Sequence, residues 1–312
     1  MAPFLEGAAE RRLVTTASAA RMHADELGVD VRLVRRLLAA QFPEWSGLPL
    51  EPVLPRGTDH AIFRLGDGMV VRLPRIEWAT GQADLEHEWL PRLAPQLPLA
   101  IPRPLALGDP GEGYPWGWAI NTWLPGEPAT VERIGDPGEA AEDLARFVVA
   151  LWQVDVTGAP SAARGEPLMT RDEATRGAIA KLGGVVDGAA ATDVWDAALA
   201  AAVWEGPPRW VHGDLDSRNL LVDRGRLSGL VDFGCLGSGD PACDVGAGWK
   251  LFTSRARETF RSALAVDDAT WVRARGHVLS QSLLALAYYT VENNAVLVLE
   301  ARRWLDQVLS GR

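Results

Sequence analysis

Four polar residues between positions 210 and 234 have the types and the spacing that phosphoryl transfer requires. His212, Asp214 and Asn219 follow an apolar run in the order His-x-Asp-x₄-Asn, and Asp232 comes thirteen residues after Asn219. Transfer of a γ-phosphoryl group needs well-positioned partners, a base for the hydroxyl proton and a metal ion that neutralises charge. Asp214 would be the base. Asn219 and Asp232 would hold Mg²⁺, because hard cations prefer carboxylate and amide oxygens.

A β-hairpin would bring the two metal ligands together. Residues 220–222 and 227–231 are apolar and can form two short strands, with a turn at 223–226. Asn219 precedes the first strand and Asp232 follows the second, so that both side chains arrive at the same end of the hairpin. The sequence therefore predicts two oxygen ligands that face one metal ion.

Each of these residues taken alone has an ordinary structural explanation. Asp214 could cap a turn, His212 could be a satisfied core histidine, and Gly234 could be a turn glycine. The residues taken together, in this order and at this spacing, favour a catalytic site.

The catalytic segment resembles the aminoglycoside phosphotransferase family, whose loop contains His-Gly-Asp where protein kinases have His-Arg-Asp. Here the discriminating residue is Gly213. The resemblance runs from about Val29 to the C-terminus and implies an α+β, protein-kinase-like fold. It implies a small antiparallel-sheet lobe at 29–124, and a larger, mainly helical lobe at 125–312 for catalysis and acceptor binding. Residues 1–28 would be a loosely ordered extension.

The resemblance also implies the substrates, ATP or GTP as donor and a hydroxyl-bearing small molecule as acceptor. A protein kinase needs a long activation segment after Asp-Phe-Gly to hold a peptide. In this chain Gly239-Asp240-Pro241 and Asp244 follow almost at once, which leaves no room for such a segment. Asp244 matches a family residue that braces the catalytic loop, and Asp240 would cap the helix.

The nucleotide-covering residues are expected in an antiparallel meander between positions 52 and 73. In the family, its first turn covers the phosphates, which places Gly57, Thr58, Asp59 and His60 there. A single glycine is not a Gly-x-Gly-x-x-Gly loop, so an ordinary turn remains an alternative.

A cation on the third strand of the meander would contact the phosphates, and the resemblance assigns Arg72 to this role. The family usually has lysine here, whereas arginine keeps the charge but binds phosphate as a planar fork. The chain has only two lysines, Lys181 and Lys250, so arginine is the expected cation. A helix at 83–93 would supply its carboxylate partner. Alignment with the family favours Glu88 over Glu86, although both carboxylates could be solvated.

The strand at 118–124 resembles the family's interlobe hinge, where adenine would bind to the backbone. The residues implied are Asn121, Thr122, Trp123 and Leu124.

Charge gives a weaker indication of the acceptor. The formal net charge is −10, and from Pro125 onward 26 acidic residues stand against 19 basic ones. This balance argues against nucleic acid as a partner. An acidic cleft would attract a polycationic acceptor, although solvated surface charge explains the same count. The resemblance implies aminoglycoside phosphorylation, and with it antibiotic resistance. Macrolides, peptide antibiotics, choline and sugars are alternative acceptors, and a nonenzymatic nucleotide-binding regulatory protein is a second alternative.

Other features limit the class of protein. No apolar run reaches the 18 residues of a membrane span, and no secretory signal is recognisable. We expect a cytoplasmic protein without a membrane partner. The five histidines form no His-Glu-x-x-His motif, and no Walker motif is present, which argues against a zinc enzyme and a P-loop NTPase.

Overall fold

The computed structural model describes residues 21–130 and 132–310, and the chain divides into two compact units. The first unit contains the described residues up to Ala94, together with Ile101–Leu124 and Thr290–Val296. The second contains Pro95–Ala100, Pro125–Tyr289 and the described residues from Leu297 onward. Among the described residues, no helix is long and apolar enough to cross a membrane.

The first unit begins with helix α1, Val31–Gln41. Its N-cap is Asp30, whose carboxylate accepts a hydrogen bond of 2.8 Å from the backbone N–H of Leu33. Such a cap satisfies one of the four N–H groups that lack a partner at a helix start. One face of α1 is buried against the sheet through Val34, Leu37 and Leu38.

The first unit is built on a five-stranded antiparallel sheet in the order β1-β2-β3-β5-β4. The predicted meander is thus confirmed, and helix α2, Gln82–Leu93, follows it. The strands are β1 Leu50–Pro52, β2 His60–Leu65, β3 Met69–Pro74, β4 Pro104–Gly108 and β5 Trp118–Thr122. A 3-10 helix at Glu77–Ala79 precedes α2, and another at Ala94–Gln96 follows it.

Trp118 is the largest side chain in the core of this sheet, and it is fully buried. Gly108 lies opposite it in the register. A Cβ atom at position 108 would lie only 2.0 Å from Cε2 of the indole, so the strand needs glycine there. The indole N–H donates a hydrogen bond to the carbonyl oxygen of Asp109, which satisfies its polar atom.

The N-terminal extension expected at 1–28 is packed in the part that the structure describes. Glu26 is buried, and its Oε1 lies 2.7 Å from Nη2 of the equally buried Arg75. The backbone N–H of Leu27 donates to the carbonyl oxygen of Arg75. Residues 21–28 therefore belong to the first unit rather than to a loose extension, and residues 1–20 lie outside the described residues.

The second unit is mainly helical. Asp136 caps its first helix through the N–H groups of Gly138 and Glu139. The helices are α3 Pro137–Gln153, α4 Asp172–Lys181, α5 Gly188–Ala200, α6 Ala242–Val245, α7 Ala247–Leu251, α8 Ser254–Leu264, α9 Asp268–Tyr288 and α10 Val291–Ser310. Helix α10 is interrupted at Asn294, whose backbone angles are not helical. Two 3-10 helices, Ala163–Gly165 and Leu168–Arg171, connect α3 to α4.

Two small antiparallel sheets of the second unit position the catalytic segment. The strands are β6 Glu127–Pro128, β7 Arg209–Val211, β8 Leu220–Asp223, β9 Arg226–Leu230 and β10 Gly237–Gly239. Strand β8 pairs with β6 and β9, and β7 pairs with β10.

The predicted hairpin is the β8–β9 pair. Leu220 lies opposite Leu230, and Arg224 and Gly225 form the two-residue turn with positive φ angles of 49° and 83°. Two left-handed residues are the requirement of the hairpin turn whose twist matches that of the strands. The α+β fold class and the hairpin are therefore confirmed.

Candidate active site

The loop between β7 and β8 is held by one buried carboxylate, that of Asp244 in α6. Its Oδ2 accepts a 2.7 Å hydrogen bond from the backbone N–H of His212, and its Oδ1 accepts one of 2.8 Å from the N–H of Gly213. Burial raises the pKa of Asp244, while His212 and the two N–H groups that donate to the carboxylate act in the opposite direction. The carboxylate thus fixes the backbone that directly precedes Asp214.

Glycine at position 213 has a physical reason. Its φ angle is 81°, a left-handed conformation that side chains other than glycine rarely adopt. A Cβ atom would also lie 2.8 Å from the carbonyl oxygen of Cys235 and 3.3 Å from Cβ of Arg164. Glycine therefore lets the loop approach both of these neighbours.

His212 is buried, and its ring contacts Asp214, Val231 and Phe233. Its Nδ1 accepts a 3.2 Å hydrogen bond from the backbone N–H of Asp214, so the proton belongs on Nε2, which lies 3.2 Å from the carbonyl oxygen of Val231. The ring packs edge-on against that of Phe233, with centroids 4.6 Å apart. Predicted as catalytic, His212 here positions Asp214 and links the loop to the Asp-Phe-Gly segment.

Asn219 orients the Asp214 side chain. Its Nδ2 donates to the carbonyl oxygen of Asp214 at 2.9 Å and to Oδ2 of Asp214 at 3.2 Å. The backbone oxygen of Asn219 accepts from the N–H of Val231 at 2.8 Å, and Asp232 is the next residue. The structure therefore brings Asn219 to the side chain of Asp214 and to Val231, the residue directly before Asp232.

A hard cation fits this donor set. With Nδ2 committed to Asp214, the oxygen of the Asn219 amide is the atom left for a metal, and the carboxylate of Asp232 is the second predicted oxygen ligand. Asp232 has a φ angle of 63°, and aspartate is one of the few residues that tolerate this conformation. In the part of the chain that the structure describes, no three His, Cys, Asp or Glu side chains are grouped to hold a metal. Other oxygens would have to complete the coordination.

Three cations surround Asp214 that the sequence analysis did not identify. Nη1 of Arg164 and Nζ of Lys250 each lie 4.0 Å from Oδ1, and Nη2 of Arg218 lies 3.7 Å from Oδ2. Burial alone would raise the pKa of Asp214, but Arg164, Lys250, Arg218 and His212 hold that pKa well below its ordinary value. Asp214 is therefore ionised throughout the physiological pH range.

One of the three cations is already compensated. The guanidinium of Arg218 binds the buried carboxylate of Asp216 through two hydrogen bonds, Nε–Oδ1 at 3.1 Å and Nη2–Oδ2 at 2.6 Å. Such a bidentate pair is the strong form of an ion pair. Arg164 and Lys250 have no comparable partner among the described residues. A sequence signal existed for Lys250, because lysine is rare in this chain.

The cation predicted to contact phosphates, Arg72, is buried in the first unit and paired with Glu86. Its Nη1 lies 2.5 Å from both carboxylate oxygens of Glu86. The prediction of Glu88 as this partner is wrong, since Glu88 is exposed and lies 3.6 Å from Arg92. Glu86 shares the buried face of α2 with Leu90, one helical turn later, whereas Glu88 does not.

Asn121 belongs to the same buried cluster through its side chain, and we call Arg72, Glu86 and Asn121 the Arg72 group. Nδ2 of Asn121 donates to Oε2 of Glu86 at 3.2 Å, and only 1% of the residue is exposed. The resemblance implied only a backbone role for Asn121 to Leu124. The backbone N–H groups of Thr122 and Trp123 donate to the carbonyl oxygens of Arg103 and Gly68 within the first unit. The side chain of Leu124 has no polar group.

The predicted phosphate turn precedes β2 and is held by several contacts. The carbonyl oxygen of Asp59 accepts from the N–H of Arg75 at 2.8 Å, and Oγ1 of Thr58 lies 3.4 Å from Nδ2 of Asn294. A Cβ atom on Gly57 would lie 2.7 Å from the carbonyl oxygen of His60, so the tight turn requires glycine. The first unit thus contains both the turn, which precedes β2, and the Arg72 group, which joins β3, α2 and β5.

Comparison with solved structures shows the fold. The chain is similar to the GDP and kanamycin complex of APH(2″)-IIIa, with 18% identity over 89% of this chain and 99% of that one, and a TM-score of 0.69. The streptomycin and ATP ternary complex of APH(2″)-IIa has 18% identity, covers 82% and 90% of the two chains, and has a TM-score of 0.57.

The macrolide 2′-phosphotransferase MphH from Brachybacterium faecium, an apoenzyme, is also similar. Its identity is 24%, the coverage is 85% of this chain and 96% of that one, and the TM-score is 0.57. The protein-kinase-like fold of the aminoglycoside phosphotransferases, predicted from the sequence, is confirmed by these similarities.

A family model matches most of the chain. The model describes the phosphotransferase enzyme family, APH, and it matches residues 52–277. No protein with curated function matches the sequence. The matched region includes the Arg72 group and the whole Asp214 loop. The chain therefore belongs to the phosphotransferase enzyme family, and the prediction that it is a small-molecule kinase is confirmed.

Proposed function

We propose that this phosphotransferase moves the γ-phosphoryl group of ATP or GTP to a hydroxyl group of a small molecule, with Asp214 as the base. The observation that carries the proposal is the arrangement around that carboxylate. Asp214 is oriented by Asn219, its backbone is fixed by Asp244, and a second oxygen ligand, Asp232, lies directly beside Asn219 in the hairpin. Base and metal ligands are thus positioned by one short segment.

Asp214 would orient the acceptor hydroxyl and take its proton. With its pKa held low, the carboxylate is always ionised but is a weak base. That is compatible with phosphoryl transfer, because the loose transition state requires little proton removal before the P–O bond to the leaving group breaks. The chief contribution of Asp214 is then alignment of the attacking oxygen.

Asn219 and Asp232 would hold Mg²⁺, with phosphate oxygens of the nucleotide as further ligands. A bound Mg²⁺ would neutralise charge on the transferring phosphoryl group. Asn219 acts on both parts of the site, because its Nδ2 fixes Asp214 while its Oδ1 is left for the metal.

Arg72 would contact the donor phosphates. Glu86 and Asn121 hold its guanidinium in place inside the first unit, which lowers the entropic cost of forming that contact. The choice of ATP or GTP as donor is supported by the complexes of similar proteins, which contain GDP in one case and ATP in another. The turn from Gly57 to His60 and the backbone from Asn121 to Leu124 would complete the nucleotide contacts.

The acceptor expected from the sequence is an aminoglycoside-type antibiotic, and resistance would follow from its phosphorylation. The similar proteins support this class and a second one, since two are complexes with kanamycin and streptomycin and one is a macrolide phosphotransferase. Macrolides, peptide antibiotics, choline and sugars are the competing acceptors. The nonenzymatic alternative lacks support, because the chain belongs to an enzyme family and keeps the base and both metal ligands.

Replacement of Asp214 by asparagine tests the proposed base. We expect Asp214→Asn to reduce phosphoryl transfer by at least about a hundredfold, because a neutral amide loses the charge that aligns the attacking hydroxyl and cannot accept its proton. ADP or GDP formation would be measured with kanamycin, a macrolide, choline and glucose as acceptors. Asp223→Asn, at an exposed aspartate that ends strand β8, is the matched control and should retain wild-type rates. Transfer that survives Asp214→Asn would contradict the proposed mechanism.

The pH dependence follows from the depressed pKa of Asp214. A carboxylate with a lowered pKa in the folded protein stays ionised until the pH falls through that value, below the ordinary pKa of about 3.9. The turnover number should therefore show no loss between pH 8 and 5 that arises from Asp214. Lys250→Met removes one of the charges that stabilise the ionised carboxylate, so the fall in turnover number at acid pH should begin at higher pH than in the wild type. A fall near pH 6 that is identical in wild type and Lys250→Met would contradict the assignment of this titration to Asp214.

The Arg72 group predicts a difference between two glutamates on one helix. Glu86→Gln removes the charge that holds Arg72, and we expect it to weaken binding of the ATP analogue AMP-PNP with Mg²⁺ by about tenfold, equivalent to about 1.4 kcal/mol. Glu88→Gln, on the exposed face, should change the dissociation constant by less than about twofold. Titration calorimetry measures both. Equal effects of the two substitutions would contradict the role of Glu86.

A further inference from the structure

Two cations beside Asp214 have hydrogen-bonding capacity that the protein does not use. Nη1 of Arg164 and Nζ of Lys250 each lie 4.0 Å from Oδ1 of Asp214, which is an ion-pair distance but too long for a hydrogen bond. Within residues 21–130 and 132–310, neither side chain donates a hydrogen bond of its own. A guanidinium has five N–H donors and an ammonium three.

Burial makes the position of Lys250 unusual. Only 1% of its side chain is exposed, and its ammonium lies 4.9 Å from the centre of the Trp304 ring in α10. The ring face attracts a cation but accepts no ordinary hydrogen bond. A buried ammonium normally has hydrogen-bonding partners, because its desolvation is costly. The ammonium of Lys250 therefore has N–H donors left for a ligand.

Helix α9 adds unpartnered polar atoms in the same unit. His277 is fully buried, and neither Nδ1 nor Nε2 has a hydrogen-bond partner; Nε2 of Gln281, one helical turn later, has none either. Burial first, and then four positive charges, hold the pKa of His277 well below its ordinary value, so the ring is neutral. The four charges belong to Arg171, Arg273, Arg164 and Lys250. Arg164 and Lys250 thus also act electrostatically on a buried ring whose hydrogen bonds are unmade.

The arginines and the lysine near the base differ in how they are paired. Arg218 is hydrogen-bonded to Asp216, and Arg273 is hydrogen-bonded to Asp240 through bonds of 2.8 and 3.2 Å. Arg164 and Lys250 face Asp214 at 4.0 Å, and Asp216 also acts on Lys250, but neither cation is hydrogen-bonded to a carboxylate among the described residues. The net charge of −10 belongs to the whole chain. Charges within 4 Å of the reacting group outweigh those beyond the Debye length of about 8 Å.

We propose that Arg164 and Lys250 form a binding site for an oxyanion, a carboxylate or phosphate group carried by the acceptor. This inference rests on the proposed phosphotransfer at Asp214 and specifies its acceptor class. An anionic group of the acceptor would lie against the two cations and direct a neighbouring hydroxyl to Asp214. A polycationic aminoglycoside would place ammonium groups where the protein already has two positive charges, so the acceptor expected from the sequence is disfavoured at this site.

The same cations could instead bind the transferring phosphoryl group of the nucleotide, which has the same chemistry. One titration separates the two sources. Inorganic phosphate is the probe, and its dissociation constant is measured by calorimetry on the full chain, without nucleotide and then with saturating Mg²⁺ and AMP-PNP. We expect phosphate to bind in both conditions with dissociation constants within about threefold of each other. Loss of phosphate binding on addition of the nucleotide analogue would overturn the proposal, as would a failure of phosphate to bind at all.

Substitutions assign the binding to the two residues. Lys250→Met and Arg164→Met should each raise the phosphate dissociation constant at least tenfold in the presence of the analogue, and Lys250→Arg should keep it within about threefold of wild type. Lys181→Met and Arg302→Met are matched controls, because both residues are exposed and distant in sequence from the loop. Unchanged phosphate affinity in Arg164→Met, which is one-third exposed and tolerant of replacement, would contradict the assignment even if Lys250→Met does not fold.

The two proposals fail separately. Phosphate binding requires no turnover, so it can fail while the wild-type protein phosphorylates an acceptor in an Asp214-dependent manner. Conversely, the proposed base can be wrong while phosphate still binds to Arg164 and Lys250.

Discussion

The candidate active site depends on one buried carboxylate that accepts two backbone hydrogen bonds. Asp244 receives the N–H groups of His212 and Gly213, at 2.7 and 2.8 Å. Both N–H groups would be costly to bury without a partner, and hydrogen bonds to a charged acceptor are stronger than those between neutral groups. Because Asp214 is the next residue, a contact from a helix more than two dozen residues later determines where the catalytic carboxylate lies.

Further hydrogen bonds connect the loop to the residues that precede Asp232. The His212 ring is hydrogen-bonded to the carbonyl oxygen of Val231, and Asn219 is bonded both to the side chain of Asp214 and to the N–H of Val231. Asp214 also has opposing electrostatic influences, since burial favours its neutral form and the surrounding cations favour its ionised form. The effect of the cations is the larger one, so the pKa of Asp214 is low. Such a carboxylate is a weak base, and its main contribution is to orient the hydroxyl.

Local features could be predicted from the sequence because they depend on neighbouring residues. The β8–β9 hairpin and the meander follow from turn and alternation patterns. Gly213 was useful as a family marker, and the structure adds its reason, a positive φ angle next to Cys235.

Features that depend on packing could not be predicted in the same way. Glu86 and Glu88 are two residues apart on one helix, and the choice between them depends on which face of α2 is buried. Arg164 and Lys250 approach Asp214 from distant parts of the chain, so no local spacing indicated them. The net charge of the chain could not locate the charged side chains nearest the base, because a chain-wide count contains no positions.

The most direct test of this account is the rate of Mg²⁺- and ATP-dependent ADP formation by Asp244→Asn. An amide keeps the volume and one oxygen acceptor, but it loses the charge and turns an NH₂ group toward one of the two N–H donors. The account predicts a fall in turnover of at least about a hundredfold, with affinity for Mg²⁺ and AMP-PNP within about threefold of wild type and the fold retained by circular dichroism. A folded Asp244→Asn protein with wild-type turnover would contradict the claim that this carboxylate positions the catalytic loop.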